Sequence, residues 1–255
     1  MKIIRTINEW HIIQNELKMT QAKIGFVPTM GNLHAGHQSL LKRSQAENAI
    51  TILSIFVNPT QFNNPDDLAK YPRTFEQDCE LAKNAGVDIV LAPNYAEMYP
   101  DNFRYQISEN VYSRLQEGAH RPGHFNGVLT VVMKLLQLIK PTRAYFGEKD
   151  YQQLQLIKDM VAAFFINVEI IACPTVRDDN GLALSSRNSR LSAEQYQLAL
   201  HFPKLLKKSL AVTDIISQLN QLGIKVDYIE EYEGRRFGAV TIGDVRLIDN
   251  ILITV

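Results

Sequence analysis

Two histidines three residues apart stand in the segment Pro28-Thr29-Met30-Gly31-Asn32-Leu33-His34-Ala35-Gly36-His37, which follows a short aliphatic run and leads into a stretch of helical period. That spacing puts both imidazoles on one face of a first helical turn, with small Ala35 and Gly36 allowing a ligand to come close. A helix N-terminus carries unpaired N–H groups and the positive end of the dipole, which together favour phosphate. Histidines placed there can donate hydrogen bonds to a polyphosphate and stabilise charge as it develops in a transition state. The alternative is a space-filling pair or a metal site. A metal would need a third ligand, and the sequence nominates none. No GxxxxGK[ST] loop is present.

Four other segments carry chemistry. In Phe56-Val57-Asn58-Pro59-Thr60-Gln61-Phe62 a strand must turn at Asn-Pro, leaving Gln61 at its carboxyl end with an amide that donates and accepts. This suits a small hydroxy acid, or else a solvent-facing side chain on a turn. In Phe146-Gly147-Glu148-Lys149-Asp150-Tyr151-Gln152-Gln153, Lys149 offers a point charge for phosphate and Asp150 a carboxylate for a ribose hydroxyl or magnesium. Asp150 and Gln153 also have the spacing of a capping box and could simply start a helix. Leu182-Ala183-Leu184-Ser185-Ser186-Arg187-Asn188 sets two hydroxyls beside a guanidinium, a phosphate clamp on a polar connector able to move. His120-Arg121-Pro122-Gly123-His124-Phe125 offers a cation and a histidine but reads more readily as a turn and cap region before a long helix, and Asp78 more readily as a helix-surface carboxylate than as a metal ligand.

Elements that would position these groups follow from periodicity. Strands are expected over 23–27, 50–57, 87–91, 143–146 and 168–172, alternating with helices over 36–48, 74–85, 126–139 and 151–164. Alternation of this kind builds an α/β fold, a Rossmann-like doubly wound parallel sheet whose ligands bind beyond the carboxyl ends of the strands. From Pro174 the texture turns polar, so a catalytic domain over 1–174 and a small α+β domain over 175–255 are expected. Ser192-Ala-Glu-Gln195 has capping-box spacing, predicting a helix towards Lys208 broken or kinked at Pro203. Strands are expected over 225–233, 239–242 and 245–247, with turns at Gly234 and Gly243.

Composition excludes several classes. The 27 basic and 27 acidic residues cancel, which argues against a nucleic-acid binder. No apolar run reaches the roughly 18–20 residues of a membrane span. With two cysteines and no secretory signal, a reducing cytoplasm is expected. No GxSxG elbow suggests a covalent nucleophile.

PTMGNLHAGH, FVNPTQF, YPRT, RPGHFNGV, FGEKDYQQL and LALSSRN, in that order over about residues 23–190, closely resemble the pantoate–beta-alanine ligase family of the HxGH nucleotidyltransferases. The resemblance implies a Rossmann-like domain with a small C-terminal lid, usually in a homodimer. It also implies a two-step reaction. ATP and pantoate give pantoyl adenylate and pyrophosphate, and beta-alanine then displaces AMP. On the matching motifs, Met30, Gly31, Asn32, Leu33, His34, Ala35, Gly36 and His37 line ATP, His37 being a proton donor and His34 a phosphate contact. Gly147, Glu148, Lys149, Asp150, Val176, Leu184, Ser185, Ser186 and Arg187 complete that site. Gln61 and Gln153 hold pantoate, and Gln61 also lies near beta-alanine. His34, His37, Lys149 and Arg187 form the catalytic set, expected to act as cations on the departing pyrophosphate. The family's acidic pair after YPRT is Gln77-Asp78 here, so magnesium would lean on Asp78, water and the phosphates. The C-terminal part looks shorter than the family's, and no role is carried beyond Asn188. The competing readings are another HxGH nucleotidyltransferase, acting on a phosphorylated acceptor, and a non-catalytic nucleotide-binding regulator.

Overall fold

The computed structural model describes residues 1–253. Its larger sheet holds six strands, β1 (Lys2–Ile4), β2 (Ile24–Thr29), β3 (Ile50–Ile55), β4 (Ile89–Leu91), β5 (Arg143–Gly147) and β6 (Glu169–Cys173), all parallel in the order β1-β4-β3-β2-β5-β6. The connecting helices are α1 (Ile7–Thr20), α2 (Ala35–Glu47), α3 (Pro65–Ala69), α4 (Phe75–Asn84), α5 (Tyr95–Met98), α6 (Gln116–His120), α7 (His124–Ile139) and α8 (Tyr151–Ala163). Successive strand residues face opposite layers, as the period of two requires. Phe26, Ile52, Ile89 and Phe146 enter one core with α7 and α8, while Val27, Leu53, Val90 and Tyr145 enter another with α2 and α4. Both faces are therefore covered, which is why these strands read as near-continuous apolar runs.

The five strands and four helices expected of this part are present, with ends shifted by at most two residues. Strand β1 and helices α1, α3, α5 and α6 lie outside those expectations. Strand β1 is too short to show a period, yet it pairs Lys2, Ile3 and Ile4 with Ile89, Val90 and Leu91. Helix α1 opens on a capping box, Thr6 with Glu9. From it, fully buried Trp10 and Gln14 both donate to the carbonyl of Leu138, at 2.8 and 2.6 Å, satisfying an acceptor in the last turn of α7.

Beyond a polar connector come α9 (Ala193–Ala199), α10 (His201–Leu206), α11 (Val212–Gln221) and the antiparallel sheet β7 (Lys225–Tyr232), β8 (Arg235–Ile242) and β9 (Val245–Leu252). The Ser192–Gln195 capping box forms, but the break falls at Leu200 rather than Pro203. Pro203 instead occupies the first turn of α10, where its missing N–H costs nothing. Helix α11, with Val212, Ile215, Ile216 and Leu219 at helical spacing, was not expected. Strands β8 and β9 run eight residues each, longer than periodicity indicated, because the full register from Arg235↔Leu252 to Ile242↔Val245 carries pairing through polar Arg235 and Arg236 of β8 and Asp249 and Asn250 of β9. Glu233 and Gly234 both take positive φ, 47° and 71°, in the tight turn between β7 and β8. These elements enclose a core of their own around Phe202, Leu206, Ile215, Leu219 and Val240.

Trp10→Ala should lower unfolding free energy by about 3–5 kcal/mol in urea melts. Ile12→Ala, on the same helix at a side chain 64% exposed, should stay within about 0.5 kcal/mol.

Candidate active site

Strands β2 and β5 are neighbours, and the sheet grows outward from them in opposite directions. Such a switch point leaves a crevice beyond the strand ends. A cavity of about 250 Å³ occupies it, walled by Pro28 and Thr29 at the end of β2 and Met30 after it, by Phe146 and Gly147 at the end of β5, and by the connector from Pro174 to Arg187.

The histidine pair is built differently from a pair on one helical face. His34 is the residue before α2, extended at φ −138°, and its Nδ1 accepts from the Gly36 N–H at 3.1 Å. His37, three residues on, accepts the His34 N–H on its own Nδ1 at 3.3 Å. Two imidazoles thus make the capping box that Ser and Glu usually make. The ring centroids lie 4.1 Å apart. With both Nδ1 atoms accepting, each neutral ring carries its proton on Nε2. Burial pushes His34 down to about 4, with the Lys149 charge adding to it, and pushes His37 down to about 3, helped by His34 and Lys149. The expectation of two cationic histidines is therefore corrected for the free protein: near pH 7 they are neutral N–H donors, because burial opposes the charge.

Asp78 also differs from expectation. It is neither a surface carboxylate nor free for a metal. The side chain is buried, one oxygen accepting from the Leu33 N–H at 2.7 Å and Thr74 Oγ1 at 3.2 Å, the other from the Asn32 N–H at 2.9 Å. Gly31 takes φ +81°, and a Cβ there would stand 2.9 Å from Asp78 Oδ2. Gln77, exposed on α4, lines no part of the cavity.

Five residues expected to line the nucleotide pocket support it from outside. Gly31 and Leu33 are buried behind the turn, Asn32 exchanges two hydrogen bonds with Ser186, Ala35 is exposed, and the Glu148 carbonyl accepts from Asn250. The others reach the cavity: Met30, Gly36 and the histidine pair on one side, Gly147, Lys149 and Asp150 on another, Val176 and Leu184 to Arg187 on the connector. Lys149 Nζ lies 3.7 Å from Asp150, the one carboxylate lining the cavity among the described residues. Asp150 makes no cap bond to α8, so the capping alternative falls away. Arg187 is held by Asp67 of α3, at 2.7 and 3.3 Å, and lies over the Tyr71 ring.

Gln61 and Gln153 line the same cavity. The Gln61 amide is oriented by Asn58 Nδ2, 3.0 Å from Oε1, and by Met30 sulfur, 3.3 Å from Nε2. Gly127 of α7 presses on the Thr60–Gln61 peptide: a Cβ there would approach the Thr60 carbonyl carbon to 2.6 Å. Arg121 and His124, read from sequence as turn and cap, also line the cavity. His124 Nδ1 donates to the Gln61 carbonyl at 2.8 Å and Arg121 to the same oxygen at 3.2 Å. Arg121 also donates to His124 Nε2 at 3.1 Å, which fixes the tautomer. Burial, then Arg121, pushes His124 down to about 3. The signal in the sequence was the RPGH cluster itself, though nothing in its spacing showed that it faces Gln61.

Two outcomes follow. In the fold His34, His37 and His124 titrate below the unfolded value near 6.5, so the unfolded chain binds more protons and stability rises with pH. Their contribution is complete above about pH 6.5 and is lost as pH falls towards 4. Urea midpoints should drop steadily from pH 7.5 to 5, and His124→Gln should reduce that slope by about one proton. Asp78→Asn should destabilise by about 1–3 kcal/mol in magnesium-free buffer; unchanged stability there would return Asp78 to the role of metal ligand.

A family model described as pantoate-beta-alanine ligase matches residues 2–252. The pantothenate synthetase of Legionella pneumophila (strain Lens) is 56% identical over 253 residues, 99% of this chain and 100% of that protein. That of Coxiella burnetii is 56% identical over 250 residues, 98% of this chain and 96% of that protein. The crystal structure of pantoate-beta-alanine ligase from Francisella tularensis, complexed with beta-gamma ATP and beta-alanine, superposes with a TM-score of 0.96 at 46% identity, covering 99% of this chain and 97% of that one. Pantothenate synthetase from Thermus thermophilus gives 0.88 at 38% identity, covering 99% of each. Against these relatives the C-terminal part is of ordinary length, which corrects the expectation of a shortened one. Matched from its second residue through its last strand, and carrying the family's six motifs around one cavity, this chain belongs to the pantoate–beta-alanine ligase family.

Proposed function

We propose that the protein condenses pantoate with beta-alanine in two steps. The pantoate carboxylate attacks the α-phosphorus of ATP, giving pantoyl adenylate and pyrophosphate. The amine of beta-alanine then attacks the acyl carbon, forming the amide of pantothenate and releasing AMP. The observation that carries this reading is the meeting, in one cavity, of polyanion-binding groups (His34, His37, Lys149 and Arg187) with the amides of Gln61 and Gln153.

Activation by adenylation turns a carboxylate oxygen into a good leaving group, and enclosure protects the mixed anhydride from water. In this scheme Lys149 and Arg187 meet the phosphates as charges. His34 and His37 present Nε2–H donors at the first turn of α2, His37 keeping its proton and donating it as a hydrogen bond to the phosphate oxygen on which charge develops. Arg187 must exchange Asp67 for phosphate as the nucleotide enters. Gln61, able to donate and accept, suits a hydroxy acid and lies ready for beta-alanine, and Gln153 completes the pantoate site. Residues 175–255 act as the lid, its connector already tied to the histidine turn through Asn32 and Ser186.

The donor set fits a magnesium ion delivered on ATP, which keeps waters and takes phosphate oxygens with one or two carboxylates. Among the described residues no cluster of three carboxylate, histidine or cysteine ligands exists, and Asp150, which lines the cavity, would hold it. That ion would neutralise the polyphosphate. A homodimer in the cytoplasm goes with the same reading. Buried, unbridged Cys79 and Cys173 suit a reducing compartment. Among the described residues no helix is long and apolar enough to cross a membrane.

Purified protein with ATP, magnesium and pantoate should release pyrophosphate, and release AMP with pantothenate only when beta-alanine is added. AMP release indifferent to beta-alanine would favour another nucleotidyl transfer, and ATP binding without turnover a regulator. His37→Asn keeps an acceptor where Nδ1 caps the His34 N–H but removes the Nε2 donor. It should melt within a few degrees of wild type and release pyrophosphate about 10²–10³-fold more slowly; a near-normal rate would remove His37 from the mechanism.

A further inference from the structure

The Gln61 carbonyl owes its position to two donors, and both trace back to one carboxylate. Arg121, which donates to that carbonyl and to His124, has NH1 3.7 Å from Glu117 Oε1. Glu117 in turn receives the Arg246 guanidinium of β9 on both oxygens, at 2.6 Å each. Arg246 is completed by Asp227 of β7, 2.6 Å from its Nε. These groups are largely out of water, the Glu117, Arg121 and Arg246 side chains being 9, 19 and 26% exposed. Burial pushes the Glu117 carboxyl up, and the Arg246 hydrogen bonds and charge pull it down by more, so it is ionised.

One carboxylate thus lies between two guanidiniums, Arg121 just after α6 and Arg246 on β9. Removing Arg246 frees Glu117 to turn wholly to Arg121 and draw it off the Gln61 carbonyl. Neutralising Glu117 strips Arg121 of that counterion and leaves Arg246 to Asp227 alone. We propose that Glu117 is a positioning residue that couples the seating of β9 to the placement of Gln61 at the hydroxy-acid end of the cavity. The coupling runs through Arg121 and His124. The proposal rests on the assignment of Gln61 to pantoate given above. Glu117 itself lines no part of the main cavity, and neither does Arg246.

The test uses Glu117→Gln and Arg246→Met in the full-length protein, with Arg246→Lys as a milder variant should either fail to fold. In both, KM for pantoate should rise roughly 5- to 30-fold while KM for ATP moves less than about twofold. The double variant should be no worse than the poorer single one. Deuterium uptake over residues 58–62 should accelerate in Arg246→Met, although Arg246 does not touch that segment. A fall in melting temperature with unchanged pantoate KM, or equal rises for both substrates, would overturn the proposal. Unchanged exchange over 58–62 in every folded variant would overturn it whatever the activity. Accelerated exchange in a protein that makes no pantothenate would keep the coupling and sink the functional reading instead.

Discussion

Asp78 is an anion kept out of water by being set against peptide N–H groups. The amides of Asn32 and Leu33 converge on it because Gly31 and Asn32 both take left-handed backbone, φ 81° and 49°, and turn their N–H groups the same way. Much of the site hangs from this turn. It delivers His34 in extended conformation at the start of α2, which lets the two imidazoles cap the helix through each other. Its Asn32 then grips Ser186, bringing the connector over the same crevice. Without the carboxylate, two buried amides would lose their acceptor, a cost comparable to the loss of a strong hydrogen bond each.

The parallel sheet was legible in the sequence because strands buried on both faces are dense in aliphatic residues and the intervening helices keep their period. Motif positions at strand ends followed from the same logic. Elements read poorly where tertiary contact, not pattern, creates them. Three residues of β1 have no period, and the outer ends of β8 and β9 pair Arg235 and Arg236 with Leu252 and Ile251 through register, not pattern. Site residues divide likewise. His34, His37, Lys149, Arg187, Gln61 and Gln153 reach the cavity as their motifs suggested. The protonation of the histidines, the inward turn of Asp78 and the grip of Arg121 and His124 on Gln61 depend on burial and on partners 45 to 63 positions away. Spacing along the chain carries no trace of those.

Electrostatically the crevice is less charged than its residue types suggest. Three of its imidazoles are neutral, Arg187 is matched by Asp67, and Lys149 has Asp150 beside it. Such an arrangement avoids the cost of uncompensated buried cations before an anion arrives. The arrival of a polyanion then changes both the pairing of Arg187 and the proton affinity of the histidines. The site is poised by neutralisation rather than by standing charge.

The N-terminal segment bears on how the molecule is assembled. Strand β1 finds its neighbour at Ile89 to Leu91, and Trp10 finds its acceptor at Leu138. On a ribosome, the first twenty residues must therefore wait, undocked, until more than half of the chain has been synthesised. Contacts so distant in sequence close late, since loop entropy opposes them until the intervening sheet exists. The beginning of the chain thus serves as a clasp on the larger sheet, laid on once β4 and α7 exist.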